Sequence, residues 1–255
     1  MPTKKEKRII DKVWANAGKA IDGYGLLENK DRILVGLSGG IDSFVLLDVL
    51  AERMKHLPVY YELEAVHVQM GDIPGQTDTD YIKAFCKERD VKLHIELARS
   101  GYKKDNQKNP CFPCSWNRRK AMFLKAGERK AYRVAFGHHM DDALETLFMN
   151  MVYHGEYSAF PPKLSMFNGE FDIIRPMMMT KERDIERYAE IKNIHAAEAD
   201  CPYADNSKRE EFKKFVGELS GKHKLAKTNL FNAMSNIYKD FLPPEFDNIE
   251  QREPE

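Results

Sequence analysis

Arg32-Ile33-Leu34-Val35-Gly36-Leu37, running into Ser38-Gly39-Gly40-Ile41-Asp42-Ser43, is the stretch that decides the architecture. A short, mostly apolar run that ends in a turn signal reads as a buried strand. Beyond the Ser-Gly-Gly turn, apolar residues recur at helical spacing from Ile41 to Met54. Gly39 and Gly40 permit backbone conformations closed to other residues, so successive N–H groups can turn toward one anion. Ser38 and Ser43 add hydroxyls, and the first turn of the helix adds the positive end of its dipole. Asp42 is a poor partner for phosphate but a good ligand for the Mg²⁺ that accompanies a nucleoside triphosphate. The Gly-Lys-Ser/Thr of a Walker loop is absent. Two glycines alone are ordinary turn chemistry. The strand–loop–helix setting makes them a phosphate loop.

Outward from this centre the pattern alternates. An amphipathic helix spans 5–21, with Ile9, Ile10, Val13, Trp14 and Ala17 on one face. A strand is expected at 64–69, a helix at 78–89 and a strand at 91–97. A basic, loop-like segment, 100–110, leads into a helix from Cys111 to about Lys130. A strand at 133–137 precedes a helix at 141–153. Pro161, Pro162, Gly169 and Pro176 punctuate a loop region with one strand-like piece, 171–175, and 180–241 reads as mostly helical. The implied class is α/β, a doubly wound parallel sheet with helices on both faces and ligands beyond the carboxyl ends of its strands. The expected divisions are a helical segment at 1–28, the nucleotide domain at 29–200, a helical extension at 201–240 and an acidic tail at 241–255.

With 255 residues, 42% apolar and 31% charged, the chain can build a sizeable core. No apolar run approaches membrane-spanning length, the first residues lack the apolar core of an export signal, and four cysteines make no disulfide framework. These features predict a cytoplasmic protein with reduced thiols. The net charge is zero, yet between Lys103 and Arg133 ten lysines and arginines face only Asp105 and Glu128. From Ser207 to Lys227 seven basic residues stand against three acidic ones. Such stretches can form a face for nucleic-acid phosphates, and equally can be solvated helix surfaces.

Two further groups carry chemistry. Gly137-His138-His139-Met140-Asp141-Asp142 follows a strand and opens a helix. Its imidazoles and carboxylates could bind Mg²⁺, orient a nucleotide or move a proton, and an aspartate there could equally be a helix cap. Cys111-Phe112-Pro113-Cys114 puts two thiols on one turn, Cys201 stands alone before Pro202, and Cys86 reads as a core residue. A zinc site recruiting a histidine, a redox dithiol and a 4Fe–4S cluster with one open iron all satisfy that spacing.

The loop resembles that of the PP-loop ATP pyrophosphatases, whose Ser-Gly-Gly-x-Asp-Ser holds the β- and γ-phosphates while a substrate is adenylated. Taken with Leu147–Met151, Pro161–Leu164, Ile174-Arg175-Pro176, Lys181–Ile185 and Asn229–Met234, the chain from about 5 to 235 is similar to the tRNA 2-thiocytidine biosynthesis family. The resemblance implies adenylation of a cytidine C2 oxygen in the anticodon loop and its replacement by sulfur. It implies ATP and Mg²⁺, with Ser38, Gly39, Gly40, Asp42, Ser43, His67, Gly137, His138 and Asp142 around the nucleotide. It implies a 4Fe–4S cluster on Cys111, Cys114 and Cys201, with one iron not ligated by protein. Asp42, Asp141 and Lys120 become candidate catalytic residues; Arg118, Arg119, Lys103 and Lys104 become candidate tRNA contacts. The partners implied are tRNA, a sulfide or persulfide donor and a second copy in a homodimer. Ile41 stands where the family usually has lysine, and Cys201-Pro202-Tyr203-Ala204 is closer to the 2-thiouridine enzymes, which leaves that base as an alternative. A lysidine synthetase-like ligase and a zinc-stabilised nucleotide-binding module are the other readings.

Overall fold

Strand β1 (Arg32–Leu37) is apolar and buried from Ile33 onward because it is covered on both sides. Ile33, Val35 and Leu37 face one layer and Leu34 the other, the period of two that strand geometry imposes. The computed structural model describes residues 2–56, 60–72, 77–101, 111–197 and 208–243. Around β1 lie β2 (Glu62–Met70), β3 (Lys92–Ala98), β4 (Arg133–Ala135), β5 (Lys163–Met166) and β6 (Phe171–Ile174), in the sheet order β3-β2-β1-β4-β6-β5. All pairs are parallel except β5 with β6.

Helices α1 (Lys4–Gly23), α2 (Ile41–His56), α3 (Thr79–Glu88) and α6 (Glu182–Lys192) share one core with one face of the sheet. Helix α4 (Cys111–Arg129) covers the other face through Met122 and Ala126. Helix α5 (Met140–Tyr153) forms a third cluster with α7 (Lys208–Lys222) and α8 (Ala226–Ala233). The doubly wound parallel sheet expected from the alternation is therefore present. Strand β5 is the element the sequence concealed. It is a four-residue edge strand with a mostly exposed pattern, and it turns into β6 through Phe167 (φ 48°), Asn168 (φ 57°) and Gly169 (φ 92°). Short edge strands carry little hydrophobic signal.

Much of the basic excess read from the sequence is neutralised internally. Arg129 meets Glu64 in two bonds of 2.8 Å, Lys125 meets Glu96 at 2.9 Å, and Arg133 contacts Asp172 at 2.7 Å and Asp31 at 3.1 Å. Those residues tie α4 and β4 to the sheet. Arg118, Arg119 and Lys120 make no ion pair with any described residue.

Candidate active site

The phosphate loop is held open by its own serines. Gly39 adopts φ +104°, a conformation that suits glycine. The Gly40 amide donates to Ser38 Oγ at 3.1 Å, the Ser38 hydroxyl donates to Ser43 Oγ at 3.3 Å, and the Ser43 hydroxyl donates to Gly40 O at 2.8 Å. The turn thus leads into the amino end of α2 at the carboxyl edge of the sheet. On the neighbouring strand, His67 pairs with Leu37 and its Nδ1 lies 2.8 Å from Leu37 O. A carbonyl only accepts, so Nδ1 carries the proton and Nε2 presents a lone pair. That Nε2 is buried without a partner among the described residues, and burial lowers the His67 pKa, which keeps the ring neutral.

Gly137 joins the second motif to the loop. A Cβ there would lie 2.9 Å from Asp42 C and 3.0 Å from both Asp42 O and Ser43 N, so only glycine lets β4 end against the first turn of α2. His139 caps α5: its Nδ1 accepts from Asp142 N at 3.4 Å, while Asp142 Oδ2 accepts from His139 N at 2.8 Å. With Nδ1 accepting, the proton sits on Nε2, which lies 3.8 Å from Asp42 Oδ2. Asp142 also pairs with Arg209 of α7. Asp141, 2% exposed, accepts from Glu182 N at 2.9 Å and pairs with Lys227 of α8, so its carboxylate is held among helices rather than turned to the loop. His138 packs between Phe136 and Phe160, and burial brings its pKa down to about 4.

The cysteine pair opens α4. Cys111 is exposed and Cys114 half-buried, one turn apart on the same side of the helix. No acidic residue lies in the first turn of the helix. Asn117 fixes this turn: its side-chain amide donates to Ser100 O at 2.9 Å and to Pro113 O at 3.1 Å. Ser100, just beyond β3, donates in turn from N and Oγ to Asp72 at 2.7 Å each. Gly101, with φ +70°, makes room for Asn117. The start of α4 is thereby locked to the carboxyl edge that carries the phosphate loop. Phe112 and Trp116 expose 75% and 62% of their surface beside the cysteines. Cys86 is buried in the core, as expected from the sequence, and burial pushes its thiol up to about 12.

Arg118 is half-buried, one turn before Met122, whose sulfur fills the space left by Gly36. The Arg118 Nε is enclosed without a partner. Lys120, two positions on, is exposed and points about 200° away around the helix. Cys201, Lys103 and Lys104 lie outside the described residues. The segment before Cys201 is anchored, since Ala197 N donates to Gly39 O at 2.8 Å and Ala197 O accepts from Asp78 N at 2.9 Å. Among the described residues no group of three or more His, Cys, Asp or Glu side chains is arranged to hold a metal ion, and no helix is long and apolar enough to cross a membrane. Sequence reasoning missed Asn117 and Ala197, whose roles depend on tertiary hydrogen bonds. It quoted Arg175 without giving it a task.

The family model for the PP-loop domain matches residues 4–218, so the fold and the site define a PP-loop protein. The tRNA-cytidine(32) 2-sulfurtransferase of Herminiimonas arsenicoxydans is 34% identical over 240 residues, covering 92% of this chain and 75% of that one. Its counterpart from Vibrio cholerae serotype O1 is 33% identical over 238 residues, covering 92% and 77%. The chain belongs to the tRNA-cytidine(32) 2-sulfurtransferase family. Among solved structures, the U34-tRNA thiolase NcsA from Methanococcus maripaludis, determined with its 4Fe–4S cluster, superposes with a TM-score of 0.75 at 24% identity. That match covers 95% of this chain and 82% of that one, and it bears out the fold.

Proposed function

We propose that the chain is an ATP-dependent tRNA sulfurtransferase that converts a cytidine of the anticodon loop to 2-thiocytidine. The carrying observation is the contact of the two motifs: Gly137 lies against Asp42 and Ser43, so a nucleotide on the loop faces the Gly137–Asp142 turn. The C2 carbonyl of a pyrimidine is a poor electrophile and needs activation before its oxygen can leave. In this reading the cytidine oxygen attacks the α-phosphorus of ATP, and pyrophosphate departs onto the amides of Gly39 and Gly40 and the hydroxyl of Ser43. Asp42 would hold the Mg²⁺ that offsets the leaving charge, and the Nε2–H of His139, 3.8 Å from Asp42 Oδ2, would orient that carboxylate. His67 Nε2 takes a donor of the nucleotide, an adenine amino group or a ribose hydroxyl. Asp141 acts as a positioning residue through its hold on α6 and α8. In this reading Arg118, half-buried on α4 where Lys120 is exposed, supplies a cation to the reacting groups.

The thiols of α4 fit a cluster: they share one turn, stand at a helix amino end and have cations close by in sequence. Cys111, Cys114 and Cys201 would hold a 4Fe–4S cluster, which when bound supplies a site for the incoming sulfide at an iron without a cysteine ligand. Covalent reach keeps Cys201 near the phosphate loop. Ala197 is bonded to Gly39, and four residues of chain span at most about 14 Å. Sulfur then attacks C2, and AMP leaves with the original oxygen. This chemistry belongs in the reducing cytoplasm. The test is anaerobic: reconstituted protein receives ATP, Mg²⁺, sulfide and tRNA, and the digested nucleosides are weighed. ATP-dependent 2-thiocytidine is expected. 2-Thiouridine would move the base, and the absence of any thionucleoside would overturn the reading.

A further inference from the structure

Arg175 follows β6 at the carboxyl edge of the sheet and is 7% exposed. One guanidinium N–H donates to Pro161 O at 2.5 Å, and the guanidinium carbon lies 4.8 Å from the centre of the Phe160 ring. Its Nε is buried without a partner, and no carboxylate of the described residues pairs with it. Arg119, on α4, adds a second cation rather than a counter-charge: together with burial it lowers the Arg175 pKa to about 10. A buried guanidinium without a counter-charge is costly, and proteins meet that cost with an anion or a paired acid. Among the described residues no acid is supplied.

We infer that Arg175 and Arg119 form a phosphate subsite that receives a phosphodiester of the RNA beside the target nucleotide. The sheet order separates this subsite from the triphosphate. Strand β6 is two positions from β1, about 10 Å across the sheet, with the His138 turn between them. Phe160 touches both His138, with ring centres 5.0 Å apart and planes tilted by 44°, and Arg175, so the arginine borders the second motif on its β6 side. A planar guanidinium suits bidentate recognition of a phosphate, and such contacts place RNA without reading its sequence. This inference rests on the tRNA thiolase reading and adds to it the group that seats the substrate.

The test uses reconstituted full-length protein, a fluorescent anticodon stem-loop with cytidine at position 32, and a non-hydrolysable ATP analogue. Arg175→Gln is expected to weaken stem-loop binding about tenfold and to reduce the slope of log K against log salt by about 0.7. Its affinity for the ATP analogue should stay within about twofold of wild type. Arg175→Lys keeps the charge and should keep the slope. Arg119→Gln changes an exposed side chain without threatening the fold, and should weaken the stem-loop about threefold. A tenfold loss for the ATP analogue with RNA binding intact would assign the arginine to the triphosphate and overturn the proposal. Unchanged RNA binding in both Arg175→Gln and Arg119→Gln would leave Arg175 as a brace for Phe160 and Pro161, and would overturn it too. If wild type makes 2-thiocytidine while these variants bind RNA normally, only this inference fails. If wild type makes no thionucleoside, the parent reading fails.

Discussion

Gly137 is where two sequence motifs become one site. Its missing Cβ is what lets Asp42 and Ser43 approach, and the opposing atoms are backbone, which cannot swing aside. Gly137→Ala should therefore push the two turns apart, costing about 1–3 kcal/mol of stability and weakening ATP-analogue binding more than stem-loop binding. Thermal melting and titration of each ligand would check it. His138 gives a pH dependence. Its ordinary pKa is 6.5 and burial brings it to about 4, so below pH 6.5 the unfolded chain binds the proton that the folded chain refuses. Stability should fall as pH drops from about 6.5 to about 4, and His138→Gln should flatten that part of the curve in denaturant titrations. The sequence showed that four polar residues crowd this helix start; it could not show how the fold divides them. His139 and Asp142 cap the helix, Asp141 holds α6 and α8, and His138 packs against aromatic rings.

Among elements, α4 and α5 decide the chemistry. Helix α4 was legible from Cys111 onward, and its start was expected to carry the thiols. What positions that start was not legible, because Asn117, Ser100 and Asp72 are far apart in sequence and each looks like ordinary surface polarity. Asn117→Leu removes the donor at similar size. It should lower the iron retained after reconstitution by half or more while leaving ATP-analogue affinity within about twofold, as read by iron analysis and titration. Helix α5 is fixed from behind by Arg209 and Lys227, which the charge count assigned to a basic surface. Asp141→Asn leaves Lys227 without its acid and should cost on the order of 3 kcal/mol, measured as a shift in urea midpoint.

For the whole molecule, the alternation of apolar runs gave the parallel sheet and its helices, since each strand buried on both faces leaves a continuous apolar signature. The edge hairpin β5–β6 was only half seen, for β5 is short and mostly exposed. The site was legible as three separate motifs. That the Ser38–Ser43 and Gly137–Asp142 motifs meet follows from topology, because β1 and β4 are neighbours that end at one edge. The anchoring of Ala197 to Gly39 extends this convergence, linking the loop that holds ATP to the segment that leads to Cys201.

The most direct measurement is the nucleoside content of tRNA treated anaerobically with reconstituted Cys201→Ala protein, alongside its affinity for an ATP analogue. Loss of 2-thiocytidine with nucleotide binding retained is the predicted result. Continued formation of 2-thiocytidine at the wild-type rate would contradict a sulfur-transfer site built from all three thiols.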